Sequence, residues 1–149
     1  MSDGLDVIVI DDDLSVSEVI SDIIKRFYVW GDVLKFTSAD EAKVHCLRRK
    51  TSIAIFILDV FLKGESGFYF LDAIAEKYPS AHQDTIIITG NASDDVVDMC
   101  IASDVSYLLE KPVKPYALQL AVRAIAQKYL QFAKRLMEDP VFADSVARF

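Results

Sequence analysis

Four places in this sequence carry side chains that could act on phosphate, and each lies at or just after the end of an apolar run. The triplet Asp11-Asp12-Asp13 and the single acid Asp59 follow two such runs, and Thr89 and Lys111 close two more. Carboxylates gathered in one crevice disfavour one another's charged form unless a counter-charge is present, and Mg²⁺, which prefers oxygen ligands, supplies one. A carboxylate beside that ion can attack phosphorus, while an ammonium and a hydroxyl neutralise the phosphoryl oxygens. These residue types predict a phosphoryl-accepting site if the fold brings them together.

The elements between these places predict such a fold. Five β-rich runs are expected to be strands, at residues 7–10, 33–36, 53–58, 85–89 and 105–109. Between them lie segments with helical periodicity, opened by N-cap residues such as Ser38 and Ser93, and a last helix begins near Pro115. The alternation predicts an α/β fold, a doubly wound five-stranded parallel sheet with five helices, the last one extended. The carboxyl ends of parallel strands meet at one edge, where ligands bind.

Together these motifs resemble the receiver domain of two-component response regulators, a flavodoxin-like module related to chemotaxis regulators. The resemblance covers residues 5–127, including the acceptor loop that follows Asp59. It implies that residues 1–127 form a receiver domain and that residues 128–149 are a helical extension or linker. It also assigns roles: Asp59 is the phosphoacceptor, Thr89 the switch hydroxyl and Lys111 the phosphoryl-binding lysine.

The same resemblance implies a cofactor and partners. Mg²⁺, or Mn²⁺, is expected on Asp11, Asp12, Asp59 and the backbone carbonyl of Phe61. The donor would be a sensor histidine kinase or a phosphotransfer protein. Output would pass through the surface of the fourth helix, fifth strand and fifth helix to a partner or domain that the sequence does not identify. A homodimer through that surface or through the C-terminal extension is a further expectation. The chain would be a signalling domain that catalyses only its own phosphotransfer and dephosphorylation.

One position departs from the family pattern. Receivers usually carry Tyr or Phe three residues before the lysine, but here that position is Leu108, and Tyr107 lies one place earlier. A slip of one residue in a strand reverses the face to which a side chain points. Either Leu108 works the switch, or a bulge brings Tyr107 into register, or signalling uses no aromatic side chain. We take Leu108 as the working interpretation.

Two other functions compete with this one. The segment from Asp11 to Ser15 also matches the DxDxS nucleophile motif of haloacid-dehalogenase-like phosphohydrolases, which would make Asp11 the nucleophile, but it leaves Asp59 unexplained. The other alternative is a receiver-like interaction domain that works without phosphorylation.

The periodic apolar residues of the last helix continue past the point that the sheet needs, as far as Met137. This tail could fold back on the domain, or it could form a dimerisation helix or linker.

Composition bears on the domain number, the binding partners and the location of the protein. The chain has 149 residues, 52% of them hydrophobic, which suits one domain with a core, and its net charge of −7 disfavours direct binding to nucleic acid or to an anionic membrane. Cys46 and Cys100 are predicted to be reduced core residues, and the run Arg48-Arg49-Lys50 is expected to be a solvated helix end. No signal peptide or membrane-spanning run is evident, which predicts a cytoplasmic protein.

Overall fold

The computed structural model describes residues 4–149, and its main sheet has five parallel strands. These strands are β1 (Val7–Ile10), β2 (Val33–Phe36), β3 (Ile55–Leu58), β6 (Thr85–Thr89) and β7 (Tyr107–Glu110). They lie side by side in the order β2-β1-β3-β6-β7. The predicted doubly wound α/β sheet is confirmed. The three inner strands, β1, β3 and β6, are fully buried, as the unbroken apolar sequences of β1 and β3 predicted.

Six helices occur within the described residues: α1 (Leu14–Lys25), α2 (Ala39–Arg48), α3 (Gly67–Ile74), α4 (Asp94–Ala102), α5 (Pro115–Glu138) and α6 (Pro140–Arg148). Their N-caps follow the sequence signals. The side chains of Asp13, Ser38 and Ser93 each accept a backbone N–H from the first turn that follows, and Pro115 opens α5.

The helices cover both faces of the sheet. Alternate residues of β1 point to opposite faces, so Ile8 and Ile10 pack with α2, α3 and α4, whereas Val7 and Val9 pack with α1 and α5. Cys46 and Cys100 are free thiols, as predicted, and are buried in the core between the sheet and helices α2, α3 and α4. Burial raises the pKa of Cys46 to about 11.

A small antiparallel ribbon lies in the acceptor loop after β3. Its strands are β4 (Phe61–Leu62) and β5 (Glu65–Ser66), and we call residues 61–66 the acceptor ribbon. The two-residue turn is Lys63-Gly64, in which Gly64 adopts a φ of 84° that few other residues tolerate. A glycine in a two-residue connection is a hairpin signal, so this turn was detectable in the sequence.

The C-terminal extension contains one more helix than predicted. Helix α5 runs for 24 residues, about 36 Å at 1.5 Å per residue, and Asp139-Pro140 ends it because proline cannot continue a helix. Asp139 then caps α6, which packs on α5 through an edge-to-face contact of Phe142 with Phe132 at 5.8 Å between ring centroids. Helix α6 buries none of its own residues, so its attachment rests on this contact with α5 and on the guanidinium of Arg135 above the Phe142 ring.

The expectation of a solvated basic run is wrong for Arg49. Its guanidinium lies 3.1 Å from the carboxylate of Asp6, and the two side chains are only 10% and 11% exposed. It also donates to the Tyr78 hydroxyl and to the Ile53 carbonyl, so it crosses from the end of α2 to three other parts of the chain. The position of Arg49 at a helix end suggested exposure to water. Its partner Asp6 lies 43 positions away in the sequence, so local sequence could not indicate the ion pair.

Within residues 4–149 no helix is both long enough and apolar enough to cross a membrane. The prediction that the chain has no signal peptide rests partly on residues 1–3, which lie outside the described part of the chain.

Candidate functional site at the carboxyl edge of the sheet

Three predicted residues meet where β1, β3 and β7 end. The ammonium nitrogen of Lys111 lies 2.8 Å from Oδ2 of Asp11 and 2.6 Å from Oδ2 of Asp59. The carboxylate side chains are 5% and 10% exposed, and the lysine side chain is 22% exposed. Two nearly buried carboxylates therefore share one cation, although they lie 48 residues apart in the sequence.

This arrangement stabilises the charged lysine. Burial by itself would lower the pKa of Lys111, but the hydrogen bonds and negative charges of Asp11 and Asp59 outweigh it and raise that pKa above its ordinary value. Lys111 is therefore an ammonium at neutral pH and compensates one of the two negative charges beside it.

Backbone amides orient both carboxylates. Oδ1 of Asp11 accepts the N–H of Asp13 at 3.0 Å, and Oδ1 of Asp59 accepts the N–H of Phe61 at 3.1 Å. In each case the second oxygen is the one that contacts Lys111, so each side chain is held in one direction by a short local turn. The sequence predicted that these acids would converge, and the structure adds how they are aimed.

The other two acids of the triplet point elsewhere. Oδ2 of Asp12 accepts the backbone N–H of Lys63, at the tip of the acceptor ribbon, at 3.0 Å. Asp13 caps α1, and hydrogen bonds from the Ser15 hydroxyl and the Val16 amide lower its pKa. Asp13 is the second acid of the DxDxS pattern, and in this structure its side chain is engaged as the N-cap of α1.

Thr89 ends β6, the strand beside β3, and is fully buried. Its hydroxyl oxygen accepts the Asn91 N–H in a long contact of 3.4 Å, and its carbonyl accepts the Lys111 N–H at 2.9 Å, which ties the ends of β6 and β7 together. The next residue, Gly90, has room for a side chain: a Cβ there would lie 3.9 Å from the nearest atom, the Lys111 Cδ.

The start of α3 is pressed against the backbone of the acceptor loop. A Cβ on Gly67 would lie 2.3 Å from Cδ1 of Leu58 and 2.4 Å from the carbonyl oxygen of Asp59. No other residue fits without displacing the segment that carries Asp59, so glycine at this position is a requirement of the site itself.

The donor set is compatible with a hard divalent cation. Asp11 and Asp59 bring two buried negative charges against the single charge of Lys111, and the ribbon residue Phe61 follows directly with its carbonyl. In the described residues no three carboxylate, imidazole or thiolate side chains converge into a metal-binding group, and Asp12 accepts the Lys63 N–H instead of facing Lys111. Mg²⁺ commonly takes only one or two carboxylates and completes its shell with waters and phosphate oxygens, so two carboxylates and a carbonyl suffice.

Pairing between β6 and β7 runs in one continuous register, from Ile86 opposite Tyr107 to Thr89 opposite Glu110. There is no bulge between residues 107 and 110, which removes the alternative that Tyr107 shifts into register. Leu108 instead packs on the core face that contains α4, and Tyr107 packs on the face that contains α1 and α5.

Comparison with known proteins gives consistent matches. A family model described as the response regulator receiver domain matches residues 7–123. The chain is 23% identical over 129 residues to the transcriptional regulatory protein CitT of Halalkalibacterium halodurans, covering 87% of this chain and 55% of CitT. It is 29% identical over 131 residues to the regulatory protein VanR of Enterococcus faecium, covering 85% of this chain and 52% of VanR. The chain thus spans about half the length of the curated relatives it matches.

A solved structure shares the fold. The beryllofluoride-activated NtrC4 receiver domain dimer superposes with a TM-score of 0.71 at 25% identity, covering 83% of this chain and 98% of that one.

Proposed function

The chain belongs to the response regulator receiver family, and we propose that it is a phosphoacceptor switch in which Asp59 takes a phosphoryl group from the phosphohistidine of a sensor histidine kinase or phosphotransfer protein. One observation carries the proposal: the ammonium of Lys111 lies within 2.8 Å of two nearly buried carboxylates at the carboxyl edge of the sheet. A structural ion pair needs one acid, whereas two acids with one cation leave a negative charge that no other cation among residues 4–149 pairs with.

The chemistry assigned to these residues is a displacement at phosphorus. An oxygen of Asp59 forms the new O–P bond as the P–N bond of the donor phosphohistidine breaks, and the electron pair of that bond goes to the leaving imidazole. Lys111 would bind a phosphoryl oxygen in exchange for its present contact with Asp59. Thr89 is the group that supplies a hydroxyl to a second phosphoryl oxygen.

Asp11, Asp12, Asp59 and the Phe61 carbonyl are the residues proposed to hold Mg²⁺ or Mn²⁺. When bound, the ion neutralises charge that develops on the transferring phosphoryl group. The approach of Asp11 and Asp59 to one nitrogen of Lys111 supports this assignment. Asp12 would act directly after leaving the Lys63 amide, or through a water if it keeps that hydrogen bond.

The response is proposed to be a shift between two conformations that the phosphoryl group biases. Thr89 lies on β6, and Leu108 lies on the neighbouring strand β7, where it packs on the core face that contains α4. In this proposal Leu108 transmits the conformational change in place of an aromatic residue. Partners would sense the surface of α4, β7 and α5.

The curated relatives are longer than this chain, which matches 55% and 52% of their lengths. This is the basis for proposing that residues 1–127 act as the receiver of a larger signalling system and that residues 128–149 connect it to an output partner or mediate a homodimer. Operation in the bacterial cytoplasm is part of the same proposal.

The test is labelling of the full chain with acetyl phosphate and Mg²⁺, read as the mass of one added phosphoryl group on the intact protein. Wild type and Asp13→Asn should be labelled, because Asp13 only caps α1, whereas Asp59→Asn should not. Circular dichroism establishes that each variant is folded. An unlabelled wild-type chain would contradict the proposal. Partner binding that is indifferent to both Asp59→Asn and Mg²⁺ would favour the phosphorylation-independent interaction domain.

A further inference from the structure

The acceptor ribbon is attached to the site at two points. Its first residue, Phe61, donates its N–H to Asp59, and its tip residue, Lys63, donates its N–H to Asp12. Both contacts are made by the strand β4 and the turn. Because β5 pairs with β4, the contacts that hold β5 also bear on the position of the Phe61 carbonyl. One of them is the Gly67 N–H, which donates to the Val60 carbonyl at 2.9 Å.

A partly buried ion pair holds that strand. Nζ of Lys43, on α2, lies 3.5 Å from Oε2 of Glu65, and the side chains are 25% and 12% exposed. The same ammonium lies 5.5 Å from the ring centroid of Tyr69 on α3, within the range of a cation–π contact. Helix α2 thus reaches across to the ribbon and to the start of α3 through one lysine.

Burial of the Glu65 carboxylate is energetically unfavourable. Its Oε1 is buried and has no hydrogen-bond partner among the described residues, so Lys43 is the cation that compensates the carboxylate. A buried carboxylate that loses its cation is strongly unfavourable and turns toward water. The surface pair of Lys35 and Glu18, 3.8 Å apart with side chains 41% and 50% exposed, has no such constraint.

Movement of Glu65 would be transmitted to the site because the ribbon is paired. Leu62 lies opposite Glu65 and Phe61 lies opposite Ser66, so the two strands shift together. The backbone of Phe61 is the part of the ribbon that the proposed function assigns to the metal.

We infer that Lys43 is a positioning residue for the divalent cation: by holding Glu65 it sets where the acceptor ribbon places the Phe61 carbonyl. This inference rests on the proposed function and adds a determinant of metal affinity that lies on a helix away from the acidic residues. Lys43 acts through Glu65 and the ribbon and touches no reacting atom.

The experiment measures Mg²⁺ binding without a phosphodonor, by following the backbone amide resonances of Phe61 and Lys63 in the full chain during titration. Lys43→Ala should raise the dissociation constant for Mg²⁺ about tenfold, the lower end of what loss of a supporting group costs at metal sites. Lys43→Arg keeps the charge and should stay within about twofold of wild type. Lys35→Ala is the matched control and should not change the constant.

A second measurement separates positioning from general damage. With acetyl phosphate, Lys43→Ala should need about tenfold more Mg²⁺ for half-maximal labelling and should reach nearly the wild-type rate at saturating Mg²⁺. Amide hydrogen exchange of Lys63 in the metal-free protein should be faster in this variant, because the ribbon is released. If Lys43→Ala does not fold, Glu65→Gln, which keeps the shape and removes the charge of the pair, is used with the same readouts and the same expected direction.

Two results would overturn the inference: a Mg²⁺ affinity in Lys43→Ala or Glu65→Gln equal to that of wild type, or an Lys43→Arg variant as impaired as Lys43→Ala. These differ from failure of the proposed function, in which the wild-type chain itself neither binds Mg²⁺ nor becomes labelled.

Discussion

Replacement of Lys111 by methionine tests whether this lysine is the counter-charge that the acidic pocket needs when no metal is bound. Methionine keeps much of the volume of the aliphatic stem and removes the ammonium. Since both carboxylate oxygens contact the same nitrogen, they can be no farther apart than the sum of 2.8 and 2.6 Å. Two unit charges about 5 Å apart at an effective dielectric constant of about 20 repel by about 3 kcal/mol.

In the wild-type chain the attraction of both carboxylates to the ammonium offsets that repulsion, and the variant loses this offset. Without Mg²⁺ at neutral pH, Lys111→Met should lower the free energy of unfolding by about 3 kcal/mol, in line with removal of one partner from a buried ion pair. Adding Asp59→Asn to the variant removes one of the repelling charges and should restore most of the loss. Saturating Mg²⁺ should also stabilise it, by about 2.7 kcal/mol at a hundredfold excess over the dissociation constant.

Urea unfolding followed by fluorescence of Trp30, the single tryptophan, provides the measurement, with EDTA or Mg²⁺ present. Lys35→Met is the control, because its pair with Glu18 is exposed and worth at most about 1 kcal/mol. An Lys111→Met variant as stable in EDTA as the control would refute the counter-charge reasoning. So would a double variant less stable than Lys111→Met alone.

Three further outcomes follow from the contacts. Gly67→Ala should destabilise the protein by about 2 kcal/mol or more in urea unfolding, because the added Cβ meets the acceptor loop, and it should slow labelling by acetyl phosphate. Gly90→Ala is the control and should stay within about 0.5 kcal/mol of wild type, because there is room for its Cβ. Arg49→Met should cost about 3 kcal/mol in the same assay because it leaves a buried acid unpaired, and Arg49→Lys should restore only part of this because lysine lacks the planar fork; full restoration would contradict that reasoning. Burial, followed by the charge of Arg49, lowers the pKa of His45, so the unfolded chain takes up this proton first as pH falls. Stability should therefore decline from about pH 7 to pH 5, and less so in His45→Leu; parallel pH profiles of the two proteins would count against this.

The strand pattern and the residues at the strand ends were sufficient to predict the sheet and the convergence of Asp11, Asp59 and Lys111. Parallel strands joined by helical crossovers leave their carboxyl ends at one edge, so residues at those ends must lie near one another whatever the details of packing. The caps Asp13 and Ser93 were predictable for a similar reason, because a cap acts on its own first turn.

The directions of side chains were not predictable in the same way. Asp11 and Asp12 are neighbours in sequence, yet one faces Lys111 and the other faces the amide of Lys63, a contact 51 residues away. Arg49 is buried because Asp6 lies beside it in space, although its neighbours in sequence suggested a solvated helix end. The sixth helix follows from local signals at Asp139-Pro140, but its packing on Phe132 does not.

By itself the sequence determined the fold class, the order of the elements and the identity of the residues that gather at the carboxyl edge, since all of these depend on local periodicity and on the chirality of crossovers. Only the tertiary structure decided how charge is distributed there: which acids share Lys111, which one holds the ribbon, and which lysine on α2 supports it. The physical reason is that charge compensation in a buried site depends on distances of a few ångströms between residues far apart in the chain, and local sequence patterns carry no information about those distances.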